Sequence, residues 1–366
     1  MSVNRFVFRF CLLIASTMIL SSVNGKEPSI SEELRPLVPH RVLSLIHAPE
    51  VHKELNLNES EVSALEVQFQ SWDGDWFRSR NLTSERNLEE LDRLEKEFWG
   101  WAKGAWSADK LKRLKQLEAQ SQGHRMFLRK EVAKAIKLTP VQVKKFTDLA
   151  MATEVSEKIL QEMITKGVDT TAATKAVAVA VAAEQEAIAT LFTPEQTKAL
   201  RVLVGPIFDT KQLKRIYPMA PEFASDADWF NSPRLTLGSL RGKVVVIHFY
   251  AFQCHNCHAN FEIYRRWFEK YNGQGVVVIG IQSPETTTER DPVAVRNAAN
   301  EQNLEFPIIM DRDMKNWNNW ANTMWPTVYV VDKRGYLRYW WQGELNWKGA
   351  TADKTVEAVI EAALAE

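Results

Sequence analysis

The sequence predicts an all-α domain followed by an α/β domain with a mixed central sheet flanked by helices. Three observations predict it. From about Ser29 to Val204 apolar residues recur at helical spacing inside charged surroundings. Beyond Gly205-Pro206 short β-branched runs alternate with helical stretches. One of those runs leads straight into Cys254-His-Asn-Cys257-His258. A chain of 366 residues exceeds one average domain, and we divide it into a signal segment over 1–25, a helical domain over 26–205 and an α/β domain over 206–366. Lys and Arg number 46 and Asp and Glu 46, so no basic field attracts nucleic acid or an acidic membrane.

Arg5 and Arg9 precede the apolar run Phe10–Leu20, which is short for a membrane span, and small residues Val23 and Gly25 follow it. That order predicts a cleaved secretory signal rather than a retained anchor, hence an exported protein of the periplasm or cell envelope. Cleavage removes Cys11 and leaves Cys254 and Cys257 as the only cysteines of the mature chain. So short a loop restrains little of the unfolded chain, so function rather than stapling explains the pair.

In the helical part, Leu88, Leu91, Leu94 and Phe98, then Leu111, Leu114 and Leu117, mark helix faces. The acidic stretch 85–97 and the basic stretch 110–137 read as neighbouring helices with solvated charged faces. The alternating segment 172–191 is helical by its Ala, Glu and Gln content. Trp72, Trp76, Phe77, Phe98, Trp99, Trp101 and Trp106 form the expected core. His47, Glu50, His52 and Glu54 read as surface residues, because their spacing does not set two imidazoles on one helical face.

One pattern recurs three times: Leu57-Asn58-x-x-Glu61, Leu138-Thr139-Pro140-x-Gln142 and Phe192-Thr193-Pro194-x-Gln196. Each has an N-cap Asn or Thr and an acid or amide at N3, the capping box. Pro at N1 loses nothing, since that N–H has no helical partner. The motif resembles the LTxxQ (Spy-like) helical proteins of the bacterial envelope. That resemblance implies a chaperone or adaptor role, while capping alone explains the same residues.

In the α/β part, strands are expected over 243–250, 275–282, 306–310, 327–331 and 336–341. Helices are expected over 254–271, 292–302 and 351–365, the second capped by Asp291 with Pro292 at N1. Asp332-Lys-Arg-Gly335 is a hairpin turn. Cys254 follows a buried strand and opens a helix, where free amides and the macrodipole favour a thiolate. Cys257 lies one turn later, within reach to resolve a mixed disulfide. C-x-x-C-H is also a c-type haem attachment motif with His258 as axial ligand. That reading requires the motif to leave the strand–helix turn. Two Cys and two His could bind zinc, but His255 and His258 do not converge with both thiolates. No cofactor, metal or small-molecule ligand is expected.

Ala220-Pro-Glu-Phe223, Trp229-Phe-Asn-Ser232, Leu237-Gly-Ser-Leu-Arg-Gly-Lys243, Gly280-Ile-Gln-Ser-Pro-Glu285 and Trp325-Pro-Thr327 occur in order around the dithiol. Together they resemble the TlpA/ResA/DipZ branch of the thioredoxin superfamily. The resemblance implies a thioredoxin-like fold and an exported thiol–disulfide oxidoreductase acting on protein thiols and disulfides, in either direction. It implies Cys254 as nucleophile, Cys257 as resolving thiol and Pro326 as a cis residue beside the client. A CcdA-like membrane donor is the recharging partner it suggests. Trp325 and Thr327 become candidates for the client groove. His248, where thioredoxin has a buried Asp, is a candidate proton shuttle for Cys257 or a satisfied core histidine. His255 is a candidate for stabilising the Cys254 thiolate. Asn260 replaces a Glu that ResA-like reductases often carry. Ala251 stands where a peroxidase needs Thr three residues before its cysteine, so peroxidase chemistry is not expected. The other reading, from a different class, is a helical envelope chaperone or adaptor with an accessory redox domain.

Overall fold

A computed structural model describes residues 32–366. The signal segment and Cys11 lie outside them. Among the described residues no helix is long and apolar enough to cross a membrane.

The N-terminal half is built from α1 (Val42–Ile46), α2 (Pro49–Glu54), α3 (Glu59–Ser79), α4 (Ser84–Ala105), α5 (Ala108–Gln122), α6 (Lys130–Ala135), α7 (Pro140–Thr165), α8 (Thr171–Thr190) and α9 (Pro194–Val204). The three recurrent motifs cap α3, α7 and α9, each with both capping-box hydrogen bonds. Two of them also bind each other. Gln142 and Gln196 form a reciprocal amide pair at 2.9 and 3.0 Å. Gln142 Nε2 also donates to Leu191 O, and Gln196 Nε2 to Lys137 O, at 2.6 and 2.9 Å. Each Gln therefore caps its own helix and holds the backbone just before the other's cap. An N-cap alone contributes about 1 kcal/mol; the cross-bonding adds a fixed approach angle between α7 and α9.

The first helical core gathers Leu65, Phe69, Trp72, Leu94, Phe98, Trp106 and Leu114. Phe98 meets Trp72 and Trp106 edge-on, at 5.9 and 5.7 Å between centroids. Phe208 and Met219, from the chain entering the second half, are buried in the same cluster. Two expectations change. Phe77 leaves the helical core and packs in the α/β half, edge-on to Tyr329 and Trp340. His47 is buried rather than superficial. Its Nε2 faces Asp73 Oδ2 at 2.8 Å and its Nδ1 faces Leu43 O at 2.6 Å. His52 is half-buried, with Nε2 2.6 Å from Ile46 O. The missed signal is that a buried acid on another helix can satisfy a histidine whatever its local spacing.

The C-terminal half holds β1 (Asp228–Phe230), β2 (Val244–Tyr250), α10 (His255–Tyr271), β3 (Val276–Gln282), α11 (Pro292–Glu301), β4 (Ile308–Met310), α12 (Lys315–Asn319), β5 (Thr327–Val331), β6 (Leu337–Gln342) and α13 (Ala352–Ala365). They form one six-stranded sheet in the order β1-β4-β3-β2-β5-β6. Strands β2, β3 and β4 run parallel, and β1, β5 and β6 are antiparallel to their neighbours. This is the thioredoxin-like arrangement that the resemblance implies. Strand β1 and helix α12 were not expected; three and five residues are too few to show a period.

Alternation along β2 divides the two faces. Val244, Val246 and Tyr250 pack in the cluster under α10 and α13. Val245, Ile247 and Phe249 pack on the other face with Phe77, Trp317 and Trp320. The helical half thus closes one face of the sheet through α3. At the β5–β6 turn Gly335 has φ +85°, a left-handed conformation that favours glycine.

Candidate active site

Strand β2 is fully buried and delivers Ala251–Cys254 at the edge of the sheet interior. Cys254 is the N-cap residue of α10, with extended φ/ψ of −73° and 112°. Its carbonyl accepts from Cys257 N at 3.0 Å, so the pair spans the first helical turn. Both thiols are free; Cys254 is 9% exposed and Cys257 0%.

The two thiols are pushed in opposite directions. The Cys257 thiol donates to the Cys254 sulfur, and this is the largest influence holding Cys254 below the usual thiol range. The Cys257 and Asn256 amides act in the same direction, against burial and the nearby Glu285 carboxylate. Burial, followed by that same donated bond, pushes Cys257 far upward. Of the two, Cys254 therefore gives up its proton the more readily.

The Trp325–Pro326 peptide bond is cis. Trp325 is half-buried, stacked on Trp317 at 4.0 Å, with Nε1 donating to Ser283 O at 3.1 Å. Gly343 N donates to Pro326 O at 2.7 Å, which joins the loop after β6 to the proline loop. Thr327 does not reach the surface; it is buried and its hydroxyl donates to Met324 O at 2.8 Å. Asn260 is buried and braces the loop after β6. It accepts from Leu345 N at 2.9 Å and donates to Gly343 O at 3.3 Å.

The histidines separate. His255 is exposed on the first turn of α10. His258 is exposed, with Nε2 2.6 Å from Phe252 O, so it stays tied to the strand–helix turn. His248 is fully buried, stacked at 3.9 Å on Tyr264, and neither ring nitrogen has a hydrogen-bond partner. It is buried as a core histidine but not satisfied as one. On the same sheet face, Tyr250 Oη and both amide atoms of Gln282 are also unpartnered. Gly280, opposite His248, leaves room for that ring; a Cβ there would sit 3.2 Å from His248 Nε2 and 2.9 Å from Phe306 Cε2.

Burial pushes the His248 pKa down to about 3. The unfolded chain takes a proton below 6.5, whereas the folded chain takes it only near 3. Stability from this group is therefore complete above 6.5 and is lost as pH falls below it, by about 1.4 kcal/mol per unit. In urea unfolding at pH 6.5, 5.5 and 4.5, His248→Leu is expected to show a shallower loss of stability than the wild type. Equal slopes would remove His248 from the acid response.

One acid near the site carried no local sequence signal. Glu289 is 0% exposed and accepts from Gln253 N at 2.7 Å, Glu285 N at 2.7 Å and Thr286 N at 2.9 Å. It binds the loop after β3 to the residue preceding Cys254. In the polar run Glu285–Arg290 nothing marks one acid as buried.

Residues 217–340 match the AhpC/TSA family. DipZ of Mycobacterium bovis is 35% identical over 33% of this chain and 18% of its own length. The thiol–disulfide oxidoreductase YkuV of Bacillus subtilis is 30% identical over 40% of this chain and 97% of its own length. A thiol–disulfide isomerase structure from Corynebacterium glutamicum is 24% identical, covers 40% of this chain and 97% of its own, and has a TM-score of 0.35. Through its C-terminal half the chain belongs to the thioredoxin-like thiol–disulfide oxidoreductases.

Proposed function

We propose that the protein exchanges disulfides with extended segments of exported protein clients through Cys254 and Cys257. The carrying observation is the placement of Cys254 as the N-cap residue of α10 with the buried Cys257 one turn on, its N–H donating to Cys254 O. In the reducing direction, the Cys254 thiolate attacks one sulfur of a client disulfide and the other leaves as a client thiolate. Cys257 then gives up its proton and attacks the Cys254 sulfur, which releases the second client thiol and forms the Cys254–Cys257 disulfide. Oxidation of a client reverses each step, and the potential of the pair against its surroundings sets the direction. Backbone beside Pro326 is proposed to pair with the client, with Trp325 at the groove edge.

His248 is proposed to tune the pair as a neutral ring, and His255 as a polar neighbour of the nucleophile. The signal-like N-terminus supports export to the periplasm or cell envelope. A CcdA-like membrane donor is the partner proposed to recharge the pair. A chaperone-like second reading has one observation in its favour: Met151, Val155 and Ile159 lie exposed along one face of α7.

Insulin reduction with dithiothreitol as electron source tests the redox reading. The full chain is expected to accelerate it, and Cys254→Ser to fall to the uncatalysed rate. A wild type without acceleration, or a Cys254→Ser chain with full activity, sinks the assignment. Suppression of insulin-chain aggregation by Cys254→Ser would instead favour the chaperone reading.

A further inference from the structure

We propose that the helical half is part of the redox site, because Arg78, Arg80 and Asn81 at the end of α3 hold the backbone that leads into the Trp325–Pro326 loop. The inference rests on the redox reading above and assigns these three as positioning residues for client binding.

Helix α12 has only five residues, too few to be stable alone, and backbone N–H groups of Trp320, Asn322 and Ala321 take up its Asn316, Trp317 and Asn318 carbonyls but not that of Asn319. The chain then turns through Ala321 at φ +47°, a left-handed conformation costly for a residue with a Cβ. Side chains from some 240 residues upstream satisfy this turn. Arg78 donates to Asn319 O at 3.3 Å. Arg80 donates to Trp320 O at 3.3 Å and Ala321 O at 3.4 Å. Asn81 donates to Ala321 O at 2.7 Å. Three successive carbonyls are thus covered from the other half of the molecule.

The clamp is anchored at both ends. The Arg80 guanidinium lies 3.4 Å from the Phe77 ring centroid, and Phe77 is buried against Tyr329 and Trp340. Tyr329 Oη donates to Asn322 Oδ1 at 2.8 Å, which fixes the residue after the clamped turn. Within the same segment, Trp317 carries the stacked Trp325, the residue before Pro326. Asp311 fixes the start of α12 by accepting from Asn316 N and Trp317 N, both at 2.8 Å. Between Lys315 and Pro326, then, one end is held by the sheet and the middle by the helical half.

A docking contact that only adds stability would affect every disulfide substrate alike. A positioning contact affects substrates that lie along the proline loop and spares those too small to touch it. The test is Arg80→Ala/Asn81→Ala in the full chain, with Arg80→Lys beside it. Each is assayed on an extended peptide disulfide and on hydroxyethyl disulfide. The expected result for the double variant is a roughly tenfold rise in KM for the peptide with hydroxyethyl disulfide turnover within twofold, and an intermediate Arg80→Lys. Proportional loss on both substrates, loss on the small one alone, or no change on either overturns the inference. If the double variant does not fold, Asn81→Ala, which removes one exposed-side bond, is read by the same criteria. A wild type that turns over neither disulfide refutes the redox reading instead.

Discussion

Replacing Cys257 with alanine is expected to slow alkylation of Cys254 by iodoacetamide at pH 7 by roughly tenfold, the scale of losing one hydrogen bond to an ionised group. The donated S–H of Cys257 is the largest influence lowering Cys254, ahead of the amides of the first turn. Without it, burial and Glu285 act against the amides alone, and the pH profile of alkylation moves upward. Cys257→Ser keeps a hydroxyl donor and should stay within about threefold of the wild type. In the wild type, Cys257 itself should remain unmodified at pH 7, because it is inaccessible and pushed upward by burial. Mass-mapped alkylation rates between pH 5 and 9 check all three chains. A Cys257→Ala chain that alkylates as fast as wild type would show that the helix N-terminus, not the second thiol, prepares Cys254.

What the sequence made legible were features whose physics is local. A β-branched run over 243–250, shortly before Cys254, read as a strand delivering a thiol to a helix start, and Cys254 is the N-cap residue of α10. The three capping motifs closed as read, since Asn or Thr and its partner lie three residues apart. Features made by distant residues were not legible. The amide pair of Gln142 and Gln196 joins positions 54 apart. Glu289 reaches Gln253 across 36 residues. The place of Phe77 depended on where α3 lies against the sheet, which its own aromatic neighbours did not reveal. His248 shows a third limit: its strand position was visible, but its unpartnered nitrogens depend on Tyr264, Tyr250 and Phe306 closing around it.

Asp73→Ala is expected to cost about 3–5 kcal/mol in urea unfolding, the summed penalty of leaving two buried hydrogen-bonding partners unmatched. Asp73 and His47 side chains are each 1% exposed. The Asp73 carboxylate faces His47 Nε2 at 2.8 Å and accepts Met219 N at 2.6 Å. Truncation removes the acceptor for both donors at once, and no water can reach them without opening the core. His47 also stacks on Phe69 at 3.7 Å, so its ring cannot turn away without losing that contact. Asp73→Asn keeps one carbonyl oxygen and should cost about half as much or less. The effect should extend beyond the helical core. Asp73 lies one helical turn before Phe77 on α3, and Met219 bridges to Tyr336, the residue just before β6. A weakened Asp73 therefore loosens the same helix whose end holds the 319–321 carbonyls. Unfolding followed by tryptophan fluorescence should show Asp73→Ala losing stability in both halves together. A loss below about 1 kcal/mol would mean that Met219 and His47 find other acceptors, and that the pair is not what seats α3 on the sheet.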